Sequence, residues 1–186
     1  MTRLVADWLD APETRTVAAA LTARGHQALF VGGCVRNALM GRPVEDVDIA
    51  TRLQPGDAAA ALEAAGVKVV PTGIDHGTLT AVVAGKPFEV TSLRKDVETF
   101  GRRAVVAYTT DWAEDAARRD FRCNAVYARR SGTLFDPLGG IADARSGAVV
   151  FIGDPVTRIA EDYLRILRFY RFNAWYGAGL DRDGHA

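Results

Sequence analysis

Apolar and polar residues follow two rhythms along this chain, and the changes of rhythm mark its elements. From Thr14 to Arg24, Val17, Ala20 and Leu21 recur at helical spacing until Gly25 ends the pattern. Ala28 to Val31 is a short apolar run that reads as a strand, closed by Gly32 and Gly33. Val35 to Met40 returns to helical spacing. Gly41-Arg42-Pro43 forms a turn, and Val44 to Thr51 alternates as a second strand. Pro55 and Asp57 open an alanine-rich helix that Gly66 stops, and Val67 to Val70 is a further strand. Thr72 to Gly77 makes a turn, after which Thr78 to Val83 and Pro87 to Leu93 form a hairpin about Gly85-Lys86.

The second half is less regular. Arg94 to Ala107 has basic residues, Gly101 and little periodicity, which predicts a mobile, phosphate-exposed loop. Asp111 to Arg119 reads as a short capped helix and Cys123 to Ala128 as an apolar strand. Asp136-Pro137-Leu138-Gly139-Gly140 is a structural turn. Ile141 to Ala144 is a helix ended by Gly147, and Val149 to Ile152 is the last expected strand. Asp154-Pro155 then opens a helix predicted over 157–176. Ile159, Tyr163, Ile166 and Tyr170 make its apolar stripe, and Arg158, Asp162 and Arg165 share another face.

Composition narrows the class without choosing a function. The 186 residues suffice for one substantial domain, with 48% hydrophobic and 25% charged residues. Net charge is zero, so any contact with nucleic acid must come from a local basic patch. Lysine occurs only at Lys68, Lys86 and Lys95, and the other basic residues are arginines, which suit bidentate phosphate and base recognition. Cys34 and Cys123 are too few for a disulfide framework, and the three histidines lack metal-ligand spacing. No apolar run approaches a membrane span, and the N-terminal stretch carries Asp7 and Asp10 in place of a long apolar core. No membrane partner is expected, a cytoplasmic location follows by default, and oligomeric state stays open.

The chemistry concentrates between Val31 and Thr51, VGGCVRNALMGRPVEDVDIAT. Glycines before a helix let the backbone approach a phosphate, toward which the free N–H groups of the first turn point. Arg36 lies in that turn and can add a charged fork. On the second strand, Asp46 and Asp48 project to one face while Val47 and Ile49 enter the core. Neighbouring carboxylates repel unless a cation lies between them. The stretch therefore reads as a polyphosphate cradle beside a divalent-metal site.

This stretch resembles motif A of the class II tRNA nucleotidyltransferases (CCA-adding enzymes) and of the bacterial poly(A) polymerases. Two later segments extend the resemblance. Arg119-Asp120 in RRDFRCNAVYARR is similar to the motif that contacts the ribose and phosphates, and Glu161 to Arg168 fits the EDxxRxxR pattern. Asn37 stands where the family usually has Asp, and Arg122 where it usually has Thr. The resemblance covers roughly residues 27–177.

The resemblance implies an α+β fold of the polymerase β type: a mixed, mainly antiparallel sheet of about five strands with helices on one side. A nucleotidyltransferase head is expected over 1–153, and the start of a helical neck over 154–186. The implied activity is transfer of CMP and AMP from CTP and ATP to the 3′ end of tRNA. The metal would be Mg²⁺, held by Asp46 and Asp48 with help from Glu89 as a third catalytic carboxylate. Gly32, Gly33 and Arg36 would hold the triphosphate, and Arg119 and Asp120 the nucleotide. Asp162 and Arg165 would read the base, with Arg168 and Arg171 on phosphate or orienting that pair. The family continues into neck, body and tail regions that grip tRNA, so a head fragment with a weak tRNA grip is expected. Poly(A), A-only or C-only addition, a nucleotide-binding module without catalysis, and a DxD glycosyltransferase are the competing readings.

Overall fold

The structure, a computed structural model, describes residues 3–100 and 103–185; the side chains of residues 75, 96–100 and 103–106 are outside the description. The chain starts with α1 (Asp7–Asp10), α2 (Pro12–Thr22), β1 (Ala28–Val31), α3 (Gly33–Leu39), β2 (Val47–Thr51) and α4 (Pro55–Ala64). It continues with β3 (Lys68–Gly73), β4 (Thr78–Val83), β5 (Lys86–Ser92), β6 (Arg94–Phe100), β7 (Arg103–Tyr108) and α5 (Trp112–Ala117). The remainder is β8 (Tyr127–Ala128), β9 (Leu134–Phe135), α6 (Gly140–Ser146), α7 (Pro155–Glu161), α8 (Leu164–Tyr176) and α9 (Arg182–His185).

Seven strands form one sheet in the order β3-β4-β5-β2-β1-β8-β9, and β6 and β7 pair apart from it. Among the described residues, β2 with β5 is the sheet's parallel pairing; its other neighbours are antiparallel. This is the mixed, mainly antiparallel α+β architecture that the resemblance implies.

In the middle of the sheet, β1 reads as an unbroken apolar run because both its faces are buried. Phe30 and Ile49 enter one core, with Val17 and Leu21 of α2 and Leu62 of α4. Their neighbours Leu29, Val31 and Ala50 enter another, covered by Trp112 and Ala116 of α5. The sheet thus has seven strands where about five were expected, and helices cover both faces at this end instead of the one side expected, because β1 and β2 send apolar side chains to both faces. A third cluster holds Phe121, Phe151, Phe169 and Phe172, and Phe151 stacks on Phe169 at 5.4 Å. Through it, α8 packs against the segment that enters β8. Gly140 sits under that segment: a Cβ there would lie 1.9 Å from the Arg122 carbonyl oxygen. Only glycine permits this approach.

Four local expectations change. Residues expected in a mobile loop over 94–107 form β6 and β7; Gly101 and Arg102 of that loop lie outside the described residues. Val149 to Ile152 is no strand, because its pairing is the single bridge Phe121–Phe151. The strand expected from Cys123 is shortened to Tyr127–Ala128, with a 3₁₀ turn over Arg122–Asn124 before it. The helix expected over 157–176 breaks at Asp162, whose backbone is extended (φ −153°, ψ 104°). Asp162 instead accepts a hydrogen bond from Leu164 N at 3.0 Å, starting α8 afresh. The break resets the phase: Phe169 and Phe172 turn inward, and Tyr163 of the expected stripe is 71% exposed.

Candidate active site

The site is built where β1 hands over to α3. Gly32 takes φ 76°, ψ −134°, and a Cβ there would lie 3.4 Å from an Asp48 carboxylate oxygen and 3.9 Å from Nη1 of Arg119. A residue without a side chain, free to adopt positive φ, is what allows the chain to turn against that carboxylate. Asp48 lies opposite Val31 on one side and Glu89, in parallel register, on the other. Val47, Ile49, Phe88 and Val90 all enter the main core, so Asp48 and Glu89 project from the opposite face of the sheet. Asp46 precedes β2, which starts three residues later than the expected Val44.

The three carboxylates open into one cleft of about 850 Å³ that Gly33, Arg36 and Trp175 also line. Burial pushes the Asp48 carboxyl up to about 6. Glu89 and Asp46 push in the same direction, and Arg119 and Arg36 oppose them. Oxygen donors crowded together with too little positive charge suit a hard divalent cation. Among the described residues, no group of three or more His, Cys, Asp or Glu side chains forms a ligand set for a metal. The cleft therefore offers an open carboxylate pair with Glu89 beside it, not a closed cage.

The arginines lie differently from expectation. Arg36, expected as a free fork for phosphate, is 5% exposed and engaged on three sides. Its Nε and Nη2 donate to Asn37 Oδ1 at 3.1 and 2.8 Å, and its Nη1 donates to Asn124 Oδ1 at 2.6 Å. Its guanidinium lies 4.2 Å from the Tyr176 ring centroid and 4.8 Å from that of Phe172. Asn37, the departure from the usual Asp, thus holds Arg36 and is itself tied to the Pro43 carbonyl at 2.9 Å. Arg122, the other departure, pairs with Asp143 at 2.7 Å.

Behind the cleft, Arg119 pairs with Asp115 at 3.2 Å, and Tyr127 donates its hydroxyl to the same Asp115 oxygen at 2.7 Å. Asp120, expected to meet a ribose hydroxyl, accepts instead from Arg168 Nε at 2.7 Å and from Asn124 Nδ2 at 3.0 Å. Arg36, Asn124, Asp120 and Arg168 therefore form a continuous chain of hydrogen bonds that joins all three motifs.

Asp162 and Arg165 are not brought together at the cleft. Asp162 caps α8, and Arg165, buried, donates to Glu161 and to the Arg158 carbonyl at 2.6 Å. Arg158 reaches back to the carbonyls of Arg118 and Arg119 at 2.6 and 2.9 Å. Arg171 is exposed, beside the rings of Phe172 and Trp175. Sequence reasoning missed Asn124, Asp115 and Tyr127, which hold the arginines, and Trp175 and Tyr176 on the cleft wall. A residue that acts by holding another shows no spacing of its own, and the two aromatics are placed by the shifted phase of α8.

A glycine turn against paired aspartates on a mixed sheet defines the nucleotidyltransferase class of head domain. Residues 28–150 match the Poly A polymerase head domain. The chain belongs to that family, which includes the CCA-adding enzymes. It is 45% identical over 160 residues to CCA tRNA nucleotidyltransferase 1, mitochondrial, of Mus musculus, covering 86% of this chain and 36% of the relative. It is 38% identical over 165 residues to the CCA-adding enzyme of Anoxybacillus flavithermus, covering 88% and 41%. Among solved structures, the Bacillus stearothermophilus CCA-adding enzyme in complex with CTP matches with a TM-score of 0.82 at 36% identity, covering 92% of this chain and 41% of that one. A tRNA nucleotidyltransferase complexed with a primer tRNA and an incoming ATP analog matches at 0.71 and 30% identity, covering 91% and 47%. The chain thus spans 36–47% of the length of these relatives. Among the described residues, no helix is long and apolar enough to cross a membrane.

Proposed function

We propose that this chain is the catalytic head of a template-independent RNA nucleotidyltransferase that adds CMP and AMP, from CTP and ATP, to the 3′ end of tRNA. One observation carries the reading: Asp46 and Asp48 open into the same cleft as the glycine turn. The names of the relatives supply the choice of substrates. In the reaction, a 3′-hydroxyl oxygen bonds to the α-phosphorus, the bond to the pyrophosphate oxygen breaks, and the hydroxyl loses its proton.

Asp46 and Asp48, with Glu89 adjoining, would hold Mg²⁺, which would supply charge neutralisation and hydroxyl activation when bound. The chain's own residues do the rest. Gly32 and Gly33 leave room for the triphosphate beside Asp48. Arg36, held by Asn37 and Asn124, keeps a fixed positive charge on the cleft wall. Arg119 and Asp120 contact the nucleotide by exchanging or sharing their partners Asp115 and Arg168. Asp162 and Arg165 read the base after their capping and Glu161 contacts are released, with Arg168 orienting that pair and Arg171, beside Trp175, on phosphate. Residues 1–153 are the head and 154–186 begin the neck. A cytoplasmic location is part of the same reading, checked by fractionation; the mouse relative is named as mitochondrial.

The test is primer extension with Mg²⁺ on a tRNA ending before CCA, supplying ATP, CTP, GTP and UTP separately. Incorporation of C and A only, lost in Asp46→Ala, is expected. Incorporation by Asp46→Ala at the parental rate would overturn the assignment. Absence of both incorporation and nucleotide binding in the parent would point to a module without catalysis.

A further inference from the structure

Part of the cleft wall is aromatic and cationic, and the metal chemistry leaves Trp175 there without a role. Trp175 is 58% exposed and lines the cleft, next to Tyr176. Arg171 lies 5.6 Å from the Trp175 ring centroid, and Arg42, which also lines the cleft, lies 5.1 Å from that of Tyr176. Among the described residues, neither Arg42 nor Arg171 is paired with a carboxylate. An exposed tryptophan with guanidinium groups at its sides is the composition of a single-stranded nucleic-acid platform: the ring stacks a base of any sequence, and the cations meet the backbone.

Tyr176 cannot be the platform, because the Arg36 guanidinium already covers its ring at 4.2 Å. Trp175, one residue earlier, has the Arg171 guanidinium farther off, at 5.6 Å, and keeps more than half of its surface open. The triphosphate belongs at the glycine turn, where Arg36 and the bound cation meet its charge. A strand delivering its 3′-hydroxyl to the carboxylates must enter this same cleft, where Trp175 and Arg42 are exposed to it. The phosphates behind its terminal nucleotide then need cations outside the metal site.

The geometry points to Trp175 as a stacking platform for a base at the single-stranded 3′ end of the acceptor RNA, with Arg42 and Arg171 on the flanking phosphates. This rests on the nucleotidyltransferase reading and adds the part of the cleft that holds the acceptor strand.

The experiment measures binding of a short single-stranded RNA ending in CC, and separately of CTP with Mg²⁺, to the full chain and to Trp175→Ala and Trp175→Phe. Trp175→Ala weakens RNA binding by about fivefold or more, Trp175→Phe retains most of it, and CTP affinity stays within about twofold. Arg42→Gln with Arg171→Gln lowers the salt dependence of RNA binding. Unchanged RNA affinity in Trp175→Ala overturns the platform. An equal loss for CTP and RNA also overturns it, by assigning the ring to the incoming nucleotide. Both outcomes leave the nucleotidyltransferase reading intact, because the parent still binds CTP. A parent that binds neither ligand overturns both readings.

Discussion

Asp48 and Asp115 are both aspartates with restricted access to solvent, and their surroundings drive them in opposite directions. For Asp115, 1% exposed, burial raises the pKa, but Arg119 and Arg118 and the donated Tyr127 hydroxyl outweigh it and hold the carboxyl below its usual range. For Asp48, burial and the nearby Glu89 and Asp46 outweigh Arg119 and Arg36, and the carboxyl rises to about 6. Arg119 acts on both, yet its ion pair goes to Asp115. One site carries its cations within the fold; the other is left short of positive charge, as a site filled from outside must be.

The largest effect that tests this contrast is on activity. Asp48→Asn lowers nucleotidyl transfer by at least about 100-fold in primer extension while leaving the chain folded by circular dichroism. Retention of activity would make Asp48 an ordinary strand residue.

Next is stability at the paired site. Asp115→Ala leaves Arg118 and Arg119 without their buried partner and costs about 3–5 kcal/mol in urea unfolding. Tyr127→Phe removes one hydrogen bond to the same carboxylate and costs about 0.5–1.5 kcal/mol.

The two sites also titrate with opposite sign. The depressed Asp115 contributes stability above its unfolded pKa, and that contribution is lost as pH falls through its folded value. The raised Asp48 behaves in reverse: between its unfolded value of 3.8 and about 6 the native state binds more protons, so stability falls as pH rises through that window. In metal-free buffer, Asp48→Asn therefore gains stability relative to the parent on going from pH 4 to pH 7. Thermal unfolding of the two chains across that range checks the sign.

The contrast also explains what could be read from the sequence. Asp48 and the glycine turn were legible because short-range spacing places them: a strand alternates faces, and Gly32 precedes a helix; Asp46, just outside β2, reaches the same cleft. The sheet's centre was legible because β1, buried on both faces, reads as a plain apolar run. The arginine partners were not. Arg36 looks like a phosphate fork until Asn124, distant in sequence, is folded against it. Asp162 looks like a mid-helix residue because helical spacing runs through it, yet its side chain competes for the Leu164 N–H and starts a new helix. That one break turned Phe169 and Phe172 inward, Tyr163 outward, and Trp175 onto the cleft. In β6 and β7, the many charges obscured a strand pattern that pairing between neighbours is enough to form.

The measurement that bears most directly on the central claim is calorimetric titration of the chain with CTP, with Mg²⁺ and with EDTA, repeated on Asp48→Asn. The expected result is binding that requires Mg²⁺ in the parent and is lost in the variant. CTP binding of equal strength in EDTA, or in Asp48→Asn with Mg²⁺, would contradict a carboxylate site that takes its cation from outside.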